Sequence, residues 1–119
     1  MLLRVTVHAP DDLEKWLAAE QKSAESNPDL CRDKAVFESL SCVNCHSVRG
    51  TSRVGKFGSS LTHLMTRQTL GAGALTNTTA HLRAWVKDLQ HIERHCFVPN
   101  MKLKDKALYR VVSYSHSLK

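Results

Sequence analysis

The chain has 119 residues and a net charge of +6, with 17 Lys and Arg against 11 Asp and Glu. That length makes one domain with a short appendage. The charge suits an acidic protein partner or an anionic membrane surface. The basic residues are scattered with no nucleic-acid motif, which sets nucleic-acid binding aside, and no stretch approaches the roughly 20 apolar residues that span a bilayer.

In chain order, MLLRVTVHAP alternates apolar residues at Leu3, Val5 and Val7, which predicts a short strand ended by Pro10. No neighbouring strand is available to it, so it reads as the end of a sheet belonging to something upstream. No secretory signal is visible there. DDLEKWLAAEQ opens with Asp11 and Glu14 at capping-box spacing and places Leu13, Trp16 and Leu17 on one helical face. A second helix is predicted over about 29–40, presenting Leu30, Val36, Phe37 and Leu40. Residues 47–76 hold all five glycines and predict a long irregular loop with a short helix near 61–67. A loop of that length in a compact domain is functional or wrapped around something. Asn77 or Thr78 caps a third helix running through Gln90, with Leu82, Trp85, Val86 and Leu89 as its stripe. The last helix covers about 105–118, with Leu108, Val111, Val112 and Leu118 inward and Ser115 on the same stripe. The pattern is all-α, with four or five helices, long loops and a strand-like tail.

Cys42-Val43-Asn44-Cys45-His46 carries the chemistry. Two thiols at this spacing can add to the two vinyl groups of one haem, and the following histidine is then held beneath the iron as an axial ligand. A zinc site would need a second close pair, which His91 and His95 could supply one helical turn apart. A thioredoxin-like redox pair wants a βαβ context, which is absent. The amphipathic helix before the motif and the glycine-rich loop after it favour covalent haem c. Cys31 and Cys96 remain; their spacing does not decide between a disulfide and two thiols, and free thiols are favoured.

FESLSCVNCHSVRGT, LTHLMTRQTLGAGALTNT, LRAWVKD and PNMKL resemble the class I cytochrome c domain fused to subunit II of caa-type cytochrome c oxidases, over roughly residues 28–119. MLLRVTVHAPDDLEKWLAAEQ, within residues 1–27, resembles the last strand and exit helix of that subunit's dinuclear-copper domain. Met1 falls where the family has a copper-ligand methionine, although a copper site needs the rest of that domain. The resemblance implies a class I cytochrome c fold around one covalent haem c. It implies Cys42 and Cys45 as thioether attachments and His46 as the proximal iron ligand. It places Thr62, Arg67, Asn77 and Trp85 near the haem or its propionates, with simple core packing the alternative for Trp85. The implied role is one-electron transfer from a soluble cytochrome c toward the copper domain of an oxidase, as a carrier rather than a catalyst on its own. Haem c is normally attached outside the cytoplasm. The expected setting is therefore the periplasmic or outer face of a bacterial membrane, within a longer exported protein. A recombinant piece would be cytoplasmic, and would lack haem without the maturation machinery.

Members of that family carry a stretch of the form DPQ…KPG…MP, whose methionine is the distal iron ligand. Here DLQHIERHCFVPNMK takes its place. Leu89 replaces proline, Glu93, Arg94 and His95 replace Lys-Pro-Gly, and Val98 replaces the ligand. Valine has no lone pair for iron, so Met101, His95, Lys102 and water are the candidates for the sixth position. Ser59 stands where a proline carbonyl orients the proximal histidine, Asp33 where glycine is usual and Ser115 where leucine is usual. Truncating a core leucine costs on the order of 2–5 kcal/mol. The replacements cluster at the haem edge and allow two origins. One is natural divergence. The other is a scaffold engineered to bind a chosen protein target, with Leu89, Ile92, Phe97, Val98 and Tyr109 as apolar anchors and Arg94, His95 and Arg110 as polar contacts. Electron carrier is the first reading and binding module the second. An open-site haem protein with peroxidase or gas-binding behaviour is third.

Overall fold

The computed structural model describes residues 5–24, 27–52, 54–94 and 96–119. Among them are six α-helices: α1 (Pro10–Glu20), α2 (Cys31–Ser39), α3 (Cys42–Cys45), α4 (Thr79–Lys87), α5 (Leu89–Ile92) and α6 (Asp105–His116). The all-α expectation holds. Two short strands, β1 (Thr69–Leu70) and β2 (Leu75–Thr76), pair antiparallel with Leu70 opposite Leu75. This hairpin lies inside the segment expected to be irregular. Its tight turn is made by Gly71 and Gly73 with positive φ and by Ala72 at φ 53°.

The core forms where α2 crosses α6, with α4 also packed on α6. Phe37 of α2 meets Tyr114 of α6 with ring centroids 5.1 Å apart and planes tilted by 48°. Leu108, Val111 and Val112 recur at helical spacing on the buried face of α6. Leu118 follows the helix and is fully buried. Its carbonyl accepts from Met65 N at 2.8 Å, which fastens the chain end beneath the 3-10 turn Leu64–Thr66.

Asp33 sits at this helix crossing, and its carboxylate accepts from Arg110 Nη1 at 2.8 Å. The two side chains are 12% and 25% exposed. A charge withdrawn from water needs a partner, and the facing helix supplies one. Arg110 is therefore engaged inside the fold, which corrects its assignment as a surface contact. Ser115 is buried at 3% exposure and faces the large cavity described below, so the small side chain enlarges that space.

Two further expectations change. The strand-like tail is not a strand over residues 5–9: Val5 and Val7 are 76% and 90% exposed, and no described residue pairs with them. A lone extended segment has nothing to satisfy its ladder groups. Met1 and Leu3 lie outside the described residues. Pro10 starts α1 instead of ending a strand, at the helical position where its missing N–H costs least. The expected capping box does not form, because the N-cap is Ala9.

The expected third helix is broken at Asp88, whose φ of −155° leaves the helical region and separates α4 from α5. Thr78 caps α4, its side chain accepting from His81 N at 3.2 Å.

Candidate functional site

α3 is a single turn made by the CVNC residues, closed by His46 N donating to Cys42 O at 2.9 Å. This turn puts Cys42, Cys45 and His46 on the wall of a cavity of about 1320 Å³. Pockets for drug-sized ligands are roughly 300–1,000 Å³, so this one has room for a larger group. Core side chains, including Leu64, Leu70, Leu82 and Val111, make much of its lining.

The His46 Nδ1 lies 2.7 Å from the Ser59 carbonyl oxygen. A carbonyl only accepts, so Nδ1 carries the proton and Nε2 keeps a free lone pair. Ser59 thus orients the imidazole with its main chain, as the proline it replaces is expected to do. The loop that brings Ser59 there lies directly on the CVNCH turn. Gly58 N donates to Cys45 O at 2.7 Å, and Ser47 bridges Val54. A Cβ at Gly58 would stand 2.5 Å from His46 Cε1, and one at Gly55 would stand 2.6 Å from the Cys45 carbonyl carbon. Only glycine permits these approaches. The glycine-rich loop was visible in the sequence, but which of its glycines touch the motif was not.

All four cysteines are free, with Cys31 exposed and Cys96 half-buried. Burial pushes the Cys42 thiol up from its ordinary value, with a backbone hydrogen bond opposing and Cys45 adding to the rise. The residues fit a covalently held haem: two thiols in place, an imidazole with a free nitrogen, and an apolar cavity beside them. No group of three or more His, Cys, Asp or Glu able to hold a metal ion occurs among the described residues, and His95 lies outside them.

Arg67 and Trp85 line the cavity. Arg67 Nη2 donates to the Ser60 carbonyl, and burial lowers its pKa against the opposing charge of Glu20. Trp85 is laid against Gly71, where a Cβ would come within 2.2 Å of the indole Cη2. Thr62 and Asn77 are not on the wall. Thr62 Oγ1 accepts from Arg49 N at 2.9 Å. Asn77 Nδ2 donates to Leu64 O at 2.8 Å and to Arg67 O at 2.9 Å. Both residues shape the loop that carries Arg67 and reach the cavity only through it.

The cavity wall also includes Leu89, Val98, Pro99, Asn100 and Met101. Met101 is half-buried there, and Lys102 is exposed and off the wall. Leu89 is 5% exposed, so it is a cavity residue and not a surface anchor. Phe97 and Val98, 96% and 40% exposed, stand at the cavity mouth. Arg94 and Tyr109 are exposed, and Ile92 is half-buried. Sequence reasoning missed Phe57, an exposed lining residue, and Gln90, which holds the Cys96–Val98 stretch through side-chain hydrogen bonds.

The family model described as Cytochrome c matches residues 32–119. The chain belongs to the cytochrome c family. A cytochrome c domain carries covalently bound haem c and transfers electrons with it, and the all-α arrangement agrees with the class I fold. The cytochrome c match runs through the altered segment 89–98 without a break in its bounds. A cytochrome c oxidase subunit 2 from Alkalihalophilus pseudofirmus is 27% identical over 112 residues, which is 92% of this chain and 32% of that protein. The chain thus spans about a third of that relative's length. Neither comparison supports an engineered binding face. Among the described residues, no helix of this cytochrome c is long and apolar enough to cross a membrane.

Proposed function

We propose that this cytochrome c holds one haem and serves as the electron-entry domain of a cytochrome c oxidase. A soluble cytochrome c would be its donor and the copper domain of the oxidase its acceptor. The observation that carries the reading is the His46 imidazole, held by the Ser59 carbonyl beside two free thiols at the wall of a 1320 Å³ cavity. The relative's name supports the oxidase association.

Haem, when bound, supplies a one-electron iron couple. Cys42 and Cys45 would hold the group, and His46 Nε2 would donate to its metal. Ser59 fixes the imidazole plane and tautomer. Trp85 and Leu89 help to keep water from the cavity. Arg67 offers positive charge at the wall for a carboxylate. Met101 would be the sixth ligand in this reading, because it is the methionine among the residues that line the cavity. Thioether ligation raises the potential.

The test is expression with haem c maturation, followed by intact mass and visible spectroscopy. A mass increment of one haem, and a reversible reduced spectrum fed by a soluble cytochrome c, are expected. A colourless product at the polypeptide mass, made alongside a control cytochrome that matures, would overturn the reading. A second reading, an open sixth position, is favoured by Val98 in place of the ligand. Rapid binding of carbon monoxide to the reduced protein would establish it.

A further inference from the structure

The stretch of the wall at residues 97–101 is held by side chains. From Cys96 to Lys102 the chain has neither helix nor strand, and no backbone–backbone hydrogen bond anchors it among the described residues. Gln90, on α5, reaches across to it. Its Nε2 donates to Val98 O at 2.7 Å and to Cys96 O at 2.8 Å, with Cys96 Sγ at 3.1 Å. A carboxamide nitrogen has two hydrogens, and the two carbonyls use both. A second tie lies beside it: Asn100 Nδ2 donates to Asp88 Oδ1 at 3.1 Å, and Asn100 Oδ1 accepts from Lys102 N at 2.9 Å. Lys102 stands at φ 47°, a left-handed conformation that a residue with a Cβ keeps only where its surroundings fix it.

Both ties start from the turn at Asp88–Gln90, where α4 gives way to α5. Leu89, between them, is buried in the cavity and locks that turn in place. The loop is therefore pinned to that turn at residues 96, 98 and 100, and Lys102 N closes back on Asn100. Met101 follows the last pin, inside the Asn100–Lys102 closure and on the wall.

We propose that Gln90 is a positioning residue: by holding the Val98 carbonyl against α5, it sets the loop so that Met101 takes the role Val98 cannot. This rests on the reading of Met101 as sixth ligand. Gln90 does not line the cavity, so its influence on the metal passes through the loop. Two neutral hydrogen bonds of ordinary net worth shift an equilibrium by about tenfold. That is the expected rise in the population of a detached Met101 when the donors are removed.

The experiment compares Gln90→Leu, Gln90→Glu and Met101→Ala in the haem-loaded protein at neutral pH. It reads the ferric charge-transfer band of thioether ligation and the rate of carbon monoxide binding to the reduced form. Loss of the band in Met101→Ala, with a weakened band and about tenfold faster carbon monoxide binding in both Gln90 variants, is expected. If Met101→Ala changes neither readout, the ligand reading fails. If Met101→Ala abolishes the band while either folded Gln90 variant matches the parent in both readouts, the ligand reading stands and the positioning role is overturned. Gln90→Glu keeps the size of the side chain but its ionised carboxylate cannot donate, so it tests the donors should Gln90→Leu fail to fold.

Discussion

A Cβ on Gly58 would overlap the His46 ring, with 2.5 Å to Cε1 and 2.6 Å to Nδ1. Gly58→Ala should cost about 1–3 kcal/mol through overpacking and shift the absorption and paramagnetic spectra of the loaded protein. Ser59→Ala, one residue on, keeps the carbonyl that His46 uses and should leave those spectra unchanged. A change with Ser59→Ala would show that the hydroxyl matters and that the carbonyl alone does not orient the ring. At this scale the CVNCH chemistry was legible because the motif is local: one helical turn places its three groups. Thr62 and Asn77 were harder. Each lies within about ten positions of Arg67, but their polar atoms satisfy Arg49, Leu64 and Arg67. Only the folded chain distinguishes a residue that touches a cavity from one that holds its wall.

The α2–α6 crossing invites two measurements. Asp33→Ala leaves Arg110 unpaired in a partly buried position. The loss expected on breaking a buried pair is about 3–5 kcal/mol, toward the lower end because Arg110 retains some contact with water. Asp33→Gly combined with Arg110→Leu should recover most of it, as chemical denaturation would show; no recovery would mean that the crossing needs the charges themselves. The sequence marked Asp33 as a departure but could not pair it with Arg110, 77 positions away. Tyr114 at the same crossing has its phenol pKa raised, by burial first and by the charge of Glu38 second. The folded state therefore holds this proton more tightly than the unfolded one. Its contribution to stability is complete below the ordinary value of 10.0 and is lost as pH climbs through the raised value. Tyr114→Phe should flatten the alkaline part of the stability profile, in the protein whose α1 and loops remain intact. The attachment of α1 is a separate matter. None of its residues is buried, and Arg49 Nη1 donates to the carbonyls of Glu20 and Lys22 at its end. Arg49→Ala should speed hydrogen exchange in α1 while the cavity keeps its haem. Periodicity could locate α1 but not this tie, because the two partners lie in segments without a shared pattern.

At the scale of the molecule, the net charge of +6 bears on encounter. Electron exchange with an acidic partner should slow as salt rises, since screening shortens the reach of the field to about 8 Å near physiological ionic strength. A rate indifferent to salt in stopped-flow measurements would exclude such steering. The helical architecture was readable from apolar spacing, since α2, α4 and α6 each bury one face. The hairpin around Gly71 and the break at Asp88 were not, because they depend on local backbone angles and on bonds to distant side chains. The two walls of the cavity are also secured differently. His46 is steered by a main-chain oxygen, which is present whatever amino acid occupies position 59. The loop at residues 96–102 hangs from two carboxamides, either of which one codon change removes. Evolutionary drift in such a molecule should gather on that second side, retuning the midpoint of the couple generation by generation while the anchorage of the pigment stays fixed.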